Sequence, residues 1–258
     1  MKETRNIVIT GASGGIGAAL AVQLGAGGHR VALAARREAE LKEVASRCGA
    51  GAIAVATDVT RRADVDRLRD RALEAFGHVD VWVNNAGRGI TRPVLDLKDD
   101  EFDAIMAVNV KSALYGMQTI APHFIARGRG HIINVSSFLS RVPFATFRSA
   151  YNAAKAALNA LTANARVDLA AKHQDVHVSL VMPGLVSTEF QKNAIGGTPQ
   201  VRLGTAPGIQ TADEVAAAIV ELIAHPKAEI YTNPQHGAIV LKYFSDVGAF
   251  ERENAAAR

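Results

Sequence analysis

The sequence lacks several features that mark extracellular or nucleic-acid-binding proteins. It contains one cysteine, Cys48, which excludes an intramolecular disulfide and favours a reducing compartment. The formal net charge is only +4, and lysines and arginines are spread along the chain rather than gathered in a dense run. The nearest such run, "RGRGH" at 127–131, is interpreted as a turn between a helix and a strand. No nucleic-acid partner is therefore expected.

A membrane-spanning segment is not expected either. Residues 7–28 carry no charge, but seven glycines between positions 11 and 28 argue for a strand, a tight turn and a buried helix instead. The N-terminal "MKETRNIVIT" enters a strand-like pattern at once and lacks the features of a cleavable signal peptide. These observations predict a soluble, cytoplasmic protein that binds no membrane.

Short β-branched runs alternate with longer helical patterns along the chain. The predicted strands are "NIVIT" (6–10), "RVALAA" (30–35), "AIAVAT" (52–57), "VDVWVN" (79–84), "HIINVS" (131–136), "VHVSLVMP" (176–183) and "AEIYTN" (228–233). The patterns between them place apolar residues three and four positions apart, as in amphipathic helices. Because apolar strands separated by helices form buried parallel sheets, the pattern predicts an α/β fold, a doubly wound parallel sheet of about seven strands with helices on both faces.

The chain shows no repeat, linker or composition break, so a single domain over residues 1–258 is predicted. Residues 191–210 are rich in glycine, proline and polar residues and are long for an ordinary connection. A mobile lid over about 188–210 is the favoured interpretation, and a surface loop without function is the alternative. The tail after Tyr231 is apolar in its first half and is expected to pack near a ligand or on a partner subunit.

A glycine-rich segment, "VITGASGGIGAAL", joins the first predicted strand to its helix. Gly11, Gly15 and Gly17 permit a sharp turn, a close approach of the backbone to a diphosphate and tight packing of helix on strand. Ser13 and Ile16 belong to the same loop, and the helix that follows offers free N–H groups to an anion. This placement favours dinucleotide binding over a purely structural turn.

The end of the second strand, "LAARRE", indicates which dinucleotide is bound. NAD-specific sites have an acidic residue here to accept the ribose hydroxyls, whereas in this chain Ala35 is followed by Arg36 and Arg37. Because guanidinium groups can fork onto a 2′-phosphate, NADP(H) is the preferred cofactor, with Arg36 as the main contact. NAD(H) is the alternative if Arg36 only stacks on the adenine.

Further motifs follow in order, and together they resemble the short-chain dehydrogenase/reductase family. They are "TGASGGIG" with the spacing TGxxxGxG, "DV" at 58–59, "NNAG" at 84–87, "VNV" at 108–110, "NVSS" at 134–137, "YNAAK" at 151–155 and "PGLVST" at 183–188. The resemblance covers residues 5 to about 190. It implies a Rossmann-like domain whose cofactor half is about 1–130 and whose catalytic and substrate part is about 131–258.

The resemblance also implies the remaining cofactor contacts. They are Asp58 and Val59 at the adenine, Asn85, Ala86 and Gly87 along the cleft, Tyr151 and Lys155 at the nicotinamide ribose, and Pro183, Gly184, Val186 and Thr188 over the nicotinamide. No metal is expected, because His173 and His177 are joined by no cysteine or acidic cluster.

Tyr151 and Lys155 lie four residues apart, on one face of a predicted helix. Taken alone, the pair is also compatible with the polar face of an amphipathic helix. Within the resemblance, Tyr151 is the general acid/base, and a nearby ammonium and the cationic nicotinamide are expected to lower its pKa from about 10. The resemblance implies that Ser137 hydrogen-bonds the substrate oxygen and that Asn109 holds a water linking Lys155 to solvent. Taken alone, Ser137 could simply cap a strand and Asn109 could pin a helix bend.

The identity of the active serine depends on the alignment. The usual family spacing places the serine thirteen residues before the tyrosine, whereas Ser137 precedes Tyr151 by fourteen. Alignment from the strand "IINVSS" keeps Ser137 and places one extra residue in the following loop. Ser136 and Ser140 are the alternatives.

The substrate pocket is predicted from aromatic residues near these motifs. The lining candidates beside Ser137 and Tyr151 are Phe138, Val142, Phe144, Phe147 and Phe190, and Arg88, Arg141 and Arg148 lie nearby in the sequence. Half of the phenylalanines would be core residues under the alternative interpretation. The set suits a mostly hydrophobic ketone, aldehyde or secondary alcohol with an anionic end.

The predicted function is NADP(H)-dependent interconversion of a carbonyl and a secondary or primary alcohol. The alternatives are an NAD-dependent alcohol dehydrogenase of the same family and a dinucleotide-sensing protein with little turnover. Regulators of that kind often lack the tyrosine or the lysine, and this chain has both. The resemblance further implies a homodimer or homotetramer that packs the helices around 99–127 and 150–171 across two-fold axes.

Overall fold

The computed structural model describes residues 4–198 and 208–256, within which nine strands and nine α-helices are found. The strands are β1 (Asn6–Thr10), β2 (Arg30–Ala35), β3 (Ala52–Ala56), β4 (Val81–Asn84), β5 (Gly130–Val135), β6 (Val176–Met182), β7 (Val186–Ser187), β8 (Gln210–Thr211) and β9 (Glu229–Tyr231). The helices are α1 (Gly15–Ala26), α2 (Glu38–Arg47), α3 (Arg62–Phe76), α4 (Asp99–Met106), α5 (Ser112–Arg127), α6 (Ser149–Ala170), α7 (Ala212–Ala224), α8 (His236–Ser245) and α9 (Val247–Ala256).

Seven strands form one parallel sheet in the order β3-β2-β1-β4-β5-β6-β9. This confirms the predicted doubly wound sheet, and the seven predicted strands agree with the observed ones to within two residues at each end. Strand β1 lies between β2 and β4, so Ile7 is opposite Val31 on one side and Val81 on the other. The order reverses at this point, which opens a crevice at the carboxyl ends of the strands.

Apolar side chains bury both faces of the sheet. One face is covered by α1, α2 and α7, whose Leu20, Leu41 and Ile219 are fully buried against β1 and β2. The other face is covered by α3, α5 and α6, with Trp82 of β4 at the centre of that cluster. Two-sided burial explains why the strands read as continuous apolar runs rather than alternating ones.

Two segments that do not belong to the alternating pattern of strands and helices lie near the carboxyl ends of the strands. A π-helical turn, Ala107–Lys111, joins α4 to α5, and this kind of turn occurs often at functional sites. The tail after β9 forms α8 and α9, which pack through Tyr243 and Phe250 against Phe138 and Val142. None of the helices in the described part of the chain is long and apolar enough to cross a membrane.

The predicted lid over 188–210 is only partly described. Residues 199–207 lie outside the described ranges. Residues 193–197 are joined to the segment after β4 by hydrogen bonds from Thr91 N to Ile195 O (2.7 Å) and from Ile195 N to Gly89 O (3.0 Å). The first part of the predicted lid is therefore held against the body of the protein.

Candidate active site

A cleft of about 1860 Å³ lies at the carboxyl ends of the strands. The predicted residues on its wall are Gly11, Ser13, Gly15, Ile16, Arg36, Arg37, Asp58, Val59, Asn85, Ala86, Gly87, Ser137, Phe138, Phe144, Tyr151, Lys155, Pro183, Gly184, Val186, Thr188 and Phe190. Gly17 and Asn109 do not line it, and Val142 is a fully buried core residue rather than a pocket residue. The structure thus brings most of the sequence-predicted set together in one cavity.

The turn between β1 and α1 depends on glycine. Gly11 has a φ of 69°, which favours glycine, and a Cβ atom there would lie 2.8 Å from the Cα of Ala86. A Cβ at Gly17 would collide with the carbonyl of Gly11 and lie 2.6 Å from Nδ2 of Asn85. Because α1 starts at Gly15 without a side-chain cap, its first N–H groups have no side-chain partner there. The geometry fits a diphosphate group, which such N–H groups bind well.

The loop after β4 is fastened to the end of β1. The hydroxyl of Thr10 accepts hydrogen bonds from the backbone N of Asn85 and of Ala86, each at 3.1 Å. The side-chain Nδ2 of Asn85 donates to Thr10 O at 3.0 Å and to Gly11 O at 3.3 Å. The "NNAG" segment therefore fixes the wall of the cleft beside the glycine-rich turn.

The two arginines after β2 differ in their surroundings. Arg37 donates through Nε and Nη2 to the Ser13 hydroxyl (3.3 and 3.1 Å) and through Nη2 to Ser13 O (3.1 Å), so it lies beside the glycine-rich loop. Arg36 is exposed at the rim of the same cleft. The carboxylates on the described part of the cleft wall are Asp58 and Glu189, and Asp58 accepts two hydrogen bonds from Thr60. The end of β2 thus presents positive charge to the cleft.

Tyr151 and Lys155 lie in the first turns of α6 and are both buried. Lys155 donates through Nζ to the carbonyl of Val135, the last residue of β5, at 2.8 Å. Burial lowers the pKa of Lys155 to about 7. Burial raises the pKa of Tyr151, and hydrogen bonding to Ser137 and the charge of Arg148 oppose that rise. The expected lowering of the Tyr151 pKa is therefore wrong for the protein alone, because desolvation outweighs the nearby charges.

The three candidate serines have different hydrogen bonds. Ser137 interacts with Tyr151, and its Oγ accepts from Leu139 N at 3.2 Å. Ser136 donates to Asn159 Oδ1 at 2.6 Å, and Ser140 donates to Ser137 O. Among the three, Ser137 is the hydroxyl that faces the phenol.

Asn109 lies in the π-helical turn, behind the cleft wall. Its Oδ1 accepts from Arg88 N at 3.2 Å, and its Nδ2 donates to Arg88 O (2.9 Å) and Ile105 O (3.0 Å). Gly87 separates Asn109 from Lys155, since a Cβ there would lie 2.9 Å from Asn109 Oδ1 and 3.6 Å from Lys155 Nζ. The missing side chain leaves space between the two polar groups.

Residues 88–92 form an extended strip that starts at the cleft wall with Arg88 and is held on two sides. Besides the bonds to Ile195, Arg92 N donates to Phe147 O, and Ser149 Oγ donates to Arg92 O, each at 2.7 Å. Arg148 donates through Nη1 to Ile90 O at 2.9 Å. The strip therefore connects the first part of the predicted lid to the start of α6.

Aromatic rings form the far end of the cleft. Phe190 packs edge-on against Tyr151, with ring centroids 5.5 Å apart, and Phe144 is 43% exposed. Phe138 stacks on His236, the first residue of α8, at 4.0 Å between centroids. A Cβ at Gly184 would lie 3.0 Å from His236 Nε2, so the imidazole sits directly over the "PGLVST" segment.

Several site residues were missed by the sequence reasoning. His236 lines the cleft and stacks on Phe138, and nothing in the local sequence placed it there. A buried chain of amides was also missed: Asn84 donates to Asn134 Oδ1 (2.8 Å), and Asn134 donates to Thr162 Oγ1 (2.9 Å). The motifs containing Asn84 and Asn134 were noted, but their pairing was not. The described residues contain no group of three or more His, Cys, Asp or Glu that could hold a metal ion.

Comparisons with known proteins agree with this geometry. The family model described as short chain dehydrogenase matches residues 5–197. The Bacillus subtilis uncharacterized oxidoreductase YxnA is 33% identical over 239 residues, which is 91% of this chain and 67% of that protein. An uncharacterized oxidoreductase of Staphylococcus epidermidis is 35% identical over 181 residues, which is 70% of this chain and 77% of that protein.

Solved structures add the cofactor. A short chain dehydrogenase/reductase from Burkholderia phymatum in complex with NAD has a TM-score of 0.86 and 28% identity and covers 96% of this chain and 95% of its own. A short chain dehydrogenase from Burkholderia cenocepacia in complex with NADP has a TM-score of 0.81 and 28% identity, with 98% of each chain covered. The chain belongs to the short-chain dehydrogenase/reductase family of NAD(P)-dependent oxidoreductases.

Proposed function

We propose that this protein uses NADP(H) to interconvert a carbonyl and a secondary or primary alcohol. The proposal is supported by one arrangement: Ser137, Tyr151 and Lys155 share a cleft wall with the glycine-rich turn and the two arginines after β2. The bound cofactor supplies or accepts a hydride, and the protein supplies the proton and the orientation of the substrate.

Tyr151 is the proton donor in the direction of carbonyl reduction. Burial raises its pKa and so keeps the phenol protonated at neutral pH. Ser137 lies beside the phenol and donates a hydrogen bond to the substrate oxygen, which brings that oxygen to both hydroxyls. Lys155, whose pKa is lowered to about 7, gains a proton readily near neutral pH and then favours the phenolate that remains. Asn109 holds a water in the space left by Gly87.

The preference for NADP(H) rests on charge. Ala35 stands where a ribose-binding carboxylate would be expected, and Arg36 and Arg37 follow it. Arg37 is held beside Ser13, so the phosphate-binding loop and a guanidinium form one positively charged surface. Arg36, exposed at the rim, is the residue that pairs with the 2′-phosphate.

The test is NADPH oxidation across a panel of ketones, aldehydes, quinones and 3-oxoacyl thioesters. Tyr151→Phe removes the transferable proton and keeps the ring, so we expect kcat to fall by about 10²–10⁴-fold with NADPH binding unchanged. Ser137→Ala should lower kcat similarly. Ser140→Ala is the matched control and should stay near wild type.

Three results would change the proposal. Equal turnover by Tyr151→Phe and the wild type would exclude the role given to Tyr151. A larger loss in Ser140→Ala than in Ser137→Ala would reassign the serine. Tight NADPH binding without turnover of any panel member would favour a dinucleotide sensor.

We further infer that residues 1–258 act as one unit, with the cofactor half to about 130 and the substrate part beyond it. A homodimer or homotetramer is proposed as well. Large apolar side chains are exposed on or beside the helices implied in packing: Leu95 is 95% exposed before α4, and Val167 on α6 is 70% exposed. Light scattering after gel filtration tests this assembly, and a monomer at micromolar concentration would contradict it.

A further inference from the structure

Three arginines are close in sequence to the residues that form the substrate end of the cleft. In the structure they differ in burial and in hydrogen-bond partners. Arg141 makes an ion pair with Glu229, at 3.0 and 2.8 Å from its two carboxylate oxygens. Arg88 is exposed and donates through Nε to Asn193 O at 3.0 Å. Arg148 differs from both because it is buried, with only 4% of its surface exposed.

Arg148 has an unsatisfied donor. Nη1 donates to Ile90 O at 2.9 Å, whereas Nη2 is buried and has no hydrogen-bond partner in the described part of the chain. Burial lowers the pKa of Arg148, and the opposing influence is that of Tyr151. No ion pair joins Arg148 to a carboxylate among the described residues, although buried charges are normally paired.

The nearby acidic groups do not provide that partner. On the described cleft wall the carboxylates are those of Asp58 and Glu189. Asp58 lies after β3, on the cofactor side, and Glu189 is exposed and paired with Lys192 at 2.8 Å. Among the described residues, the substrate end of the cleft therefore contains a buried cation to which no carboxylate is paired.

The position of Arg148 relates it to the reacting group. It lines the cleft three residues before Tyr151, at the start of α6. Gly89 lies between Arg148 and Phe190, since a Cβ there would lie 2.8 Å from Arg148 Nη1 and 2.9 Å from Phe190 Cε1. Phe190 is half-buried and also packs on Tyr151, so its ring lies close to the phenol and, across Gly89, to the guanidinium.

We propose that Arg148 binds a carboxylate of the substrate, which makes the substrate an oxo acid or the corresponding hydroxy acid. This rests on the proposed function, because the carboxylate is placed relative to a carbonyl held at Ser137 and Tyr151. A carboxylate pairs with the free Nη2 and supplies the missing negative charge. The ligand displaces Phe190, which packs on Tyr151 and lies across Gly89 from the guanidinium.

The experiment uses pairs of probes that share a carbonyl and differ in charge. Acetoacetate, 4-oxopentanoate and 4-carboxybenzaldehyde are compared with their methyl esters in the NADPH oxidation assay. We expect the wild type to reduce at least one acid with a kcat/KM about 10-fold or more above that of its ester. Arg148→Met should remove most of this preference while reduction of the esters falls much less.

Two control variants separate this role from others. Arg88→Met removes an exposed cation from the same cleft and should leave the acid-to-ester ratio unchanged. Arg148→Lys keeps the charge without the planar donor pair and should retain part of the ratio. The pH dependence of kcat with the esters reports whether Arg148 acts on Tyr151 instead.

Binding provides a readout that does not need turnover. The NADP⁺-loaded wild type is heated with each acid and each ester, and the acids should raise its Tm more than the esters do. Acids that are no better than esters in both assays would overturn the proposal. Equal losses for acids and esters in Arg148→Met, or a shift of the ester pH profile, would also overturn it. None of these results affects the proposed function, which Tyr151→Phe tests separately.

Discussion

The two ends of the cleft are built in different ways. At the cofactor end, the surface is formed mainly by backbone, which Gly11 and Gly17 allow to approach closely and which Asn85 fastens to β1. At the substrate end, the surface is formed by side chains from distant parts of the chain, including Phe138, Phe190 and His236. A backbone surface admits few substitutions, whereas a side-chain surface can change residue by residue.

The largest effect of a substitution is expected at Gly17, at the cofactor end of the cleft. In Gly17→Ala the new methyl group collides with the Gly11 carbonyl and lies 2.6 Å from Asn85 Nδ2, so the turn must move. We expect a loss of about 3 kcal/mol in the free energy of unfolding and a strong loss of NADPH affinity, measured by urea denaturation and fluorescence titration. Gly14→Ala is the control, because its Cβ would meet the flexible end of Arg37 at 3.1 Å. Normal stability and NADPH binding in Gly17→Ala would show that the cofactor end does not depend on this close approach of backbone.

The buried lysine gives the second prediction. The pKa of Lys155 is about 7 in the folded protein, against about 10.4 for a free lysine. Between these values the unfolded chain binds more protons, so this group makes stability rise with pH, and its penalty is fully present below pH 7. Lys155→Met should therefore stabilise the cofactor-free protein by about 2 kcal/mol at pH 7, with the difference shrinking towards pH 10.

Thermal unfolding from pH 6 to pH 10 measures this difference. The exposed Lys172 provides the control, since Lys172→Met should stay within about 0.5 kcal/mol of wild type throughout. A Lys155→Met variant whose stability excess did not depend on pH would show that the buried charge is not the cause.

Arg36 tests the charge at the cofactor end. Arg36→Ala should raise the Kd for NADPH by about 10-fold and leave that for NADH almost unchanged, because only NADPH has the 2′-phosphate. Arg37→Ala removes hydrogen bonds to Ser13 and should weaken both cofactors. Calorimetric titration measures all four constants. An unchanged NADPH-to-NADH ratio in Arg36→Ala would favour the NAD-dependent alternative.

The smallest effect is expected in the tail. Gly237 lies in α8, and a Cβ there would meet nothing within 4 Å. Gly237→Ala should therefore stabilise the protein by about 0.5 kcal/mol through helix propensity, seen as a small rise in Tm. Destabilisation by this change would show that the tail, like the glycine-rich turn, needs a glycine at this position.

Local sequence was sufficient for much of the fold. The strands and the glycine-rich turn follow from short patterns, because a buried parallel strand needs a run of apolar residues and a tight turn needs glycine. Tyr151 and Lys155 were placed on one helix face by spacing alone. The family resemblance then supplied the residues that no short pattern could connect.

The features that the sequence did not predict depend on packing between segments that are distant in the chain. Asn84 and Asn134 lie on neighbouring strands and are fifty residues apart in the chain, and His236 reaches the cleft from a helix beyond the last strand. The pKa of Tyr151 was predicted from nearby charges, whereas burial decides its direction. Burial is a property of the assembled protein, so spacing could not reveal it.

The strip of residues 88–92 affects which parts of the substrate pocket can change during evolution. Because Ile195 bonds to it on one side and residues 147–149 on the other, the distance between those two walls is set by main-chain hydrogen bonds. Under the proposed function, we expect substitutions that change the size of the substrate pocket to act through side chains, with Phe144 and Phe190 as the first positions to vary. New specificities can accumulate there while the cofactor machinery is inherited unchanged.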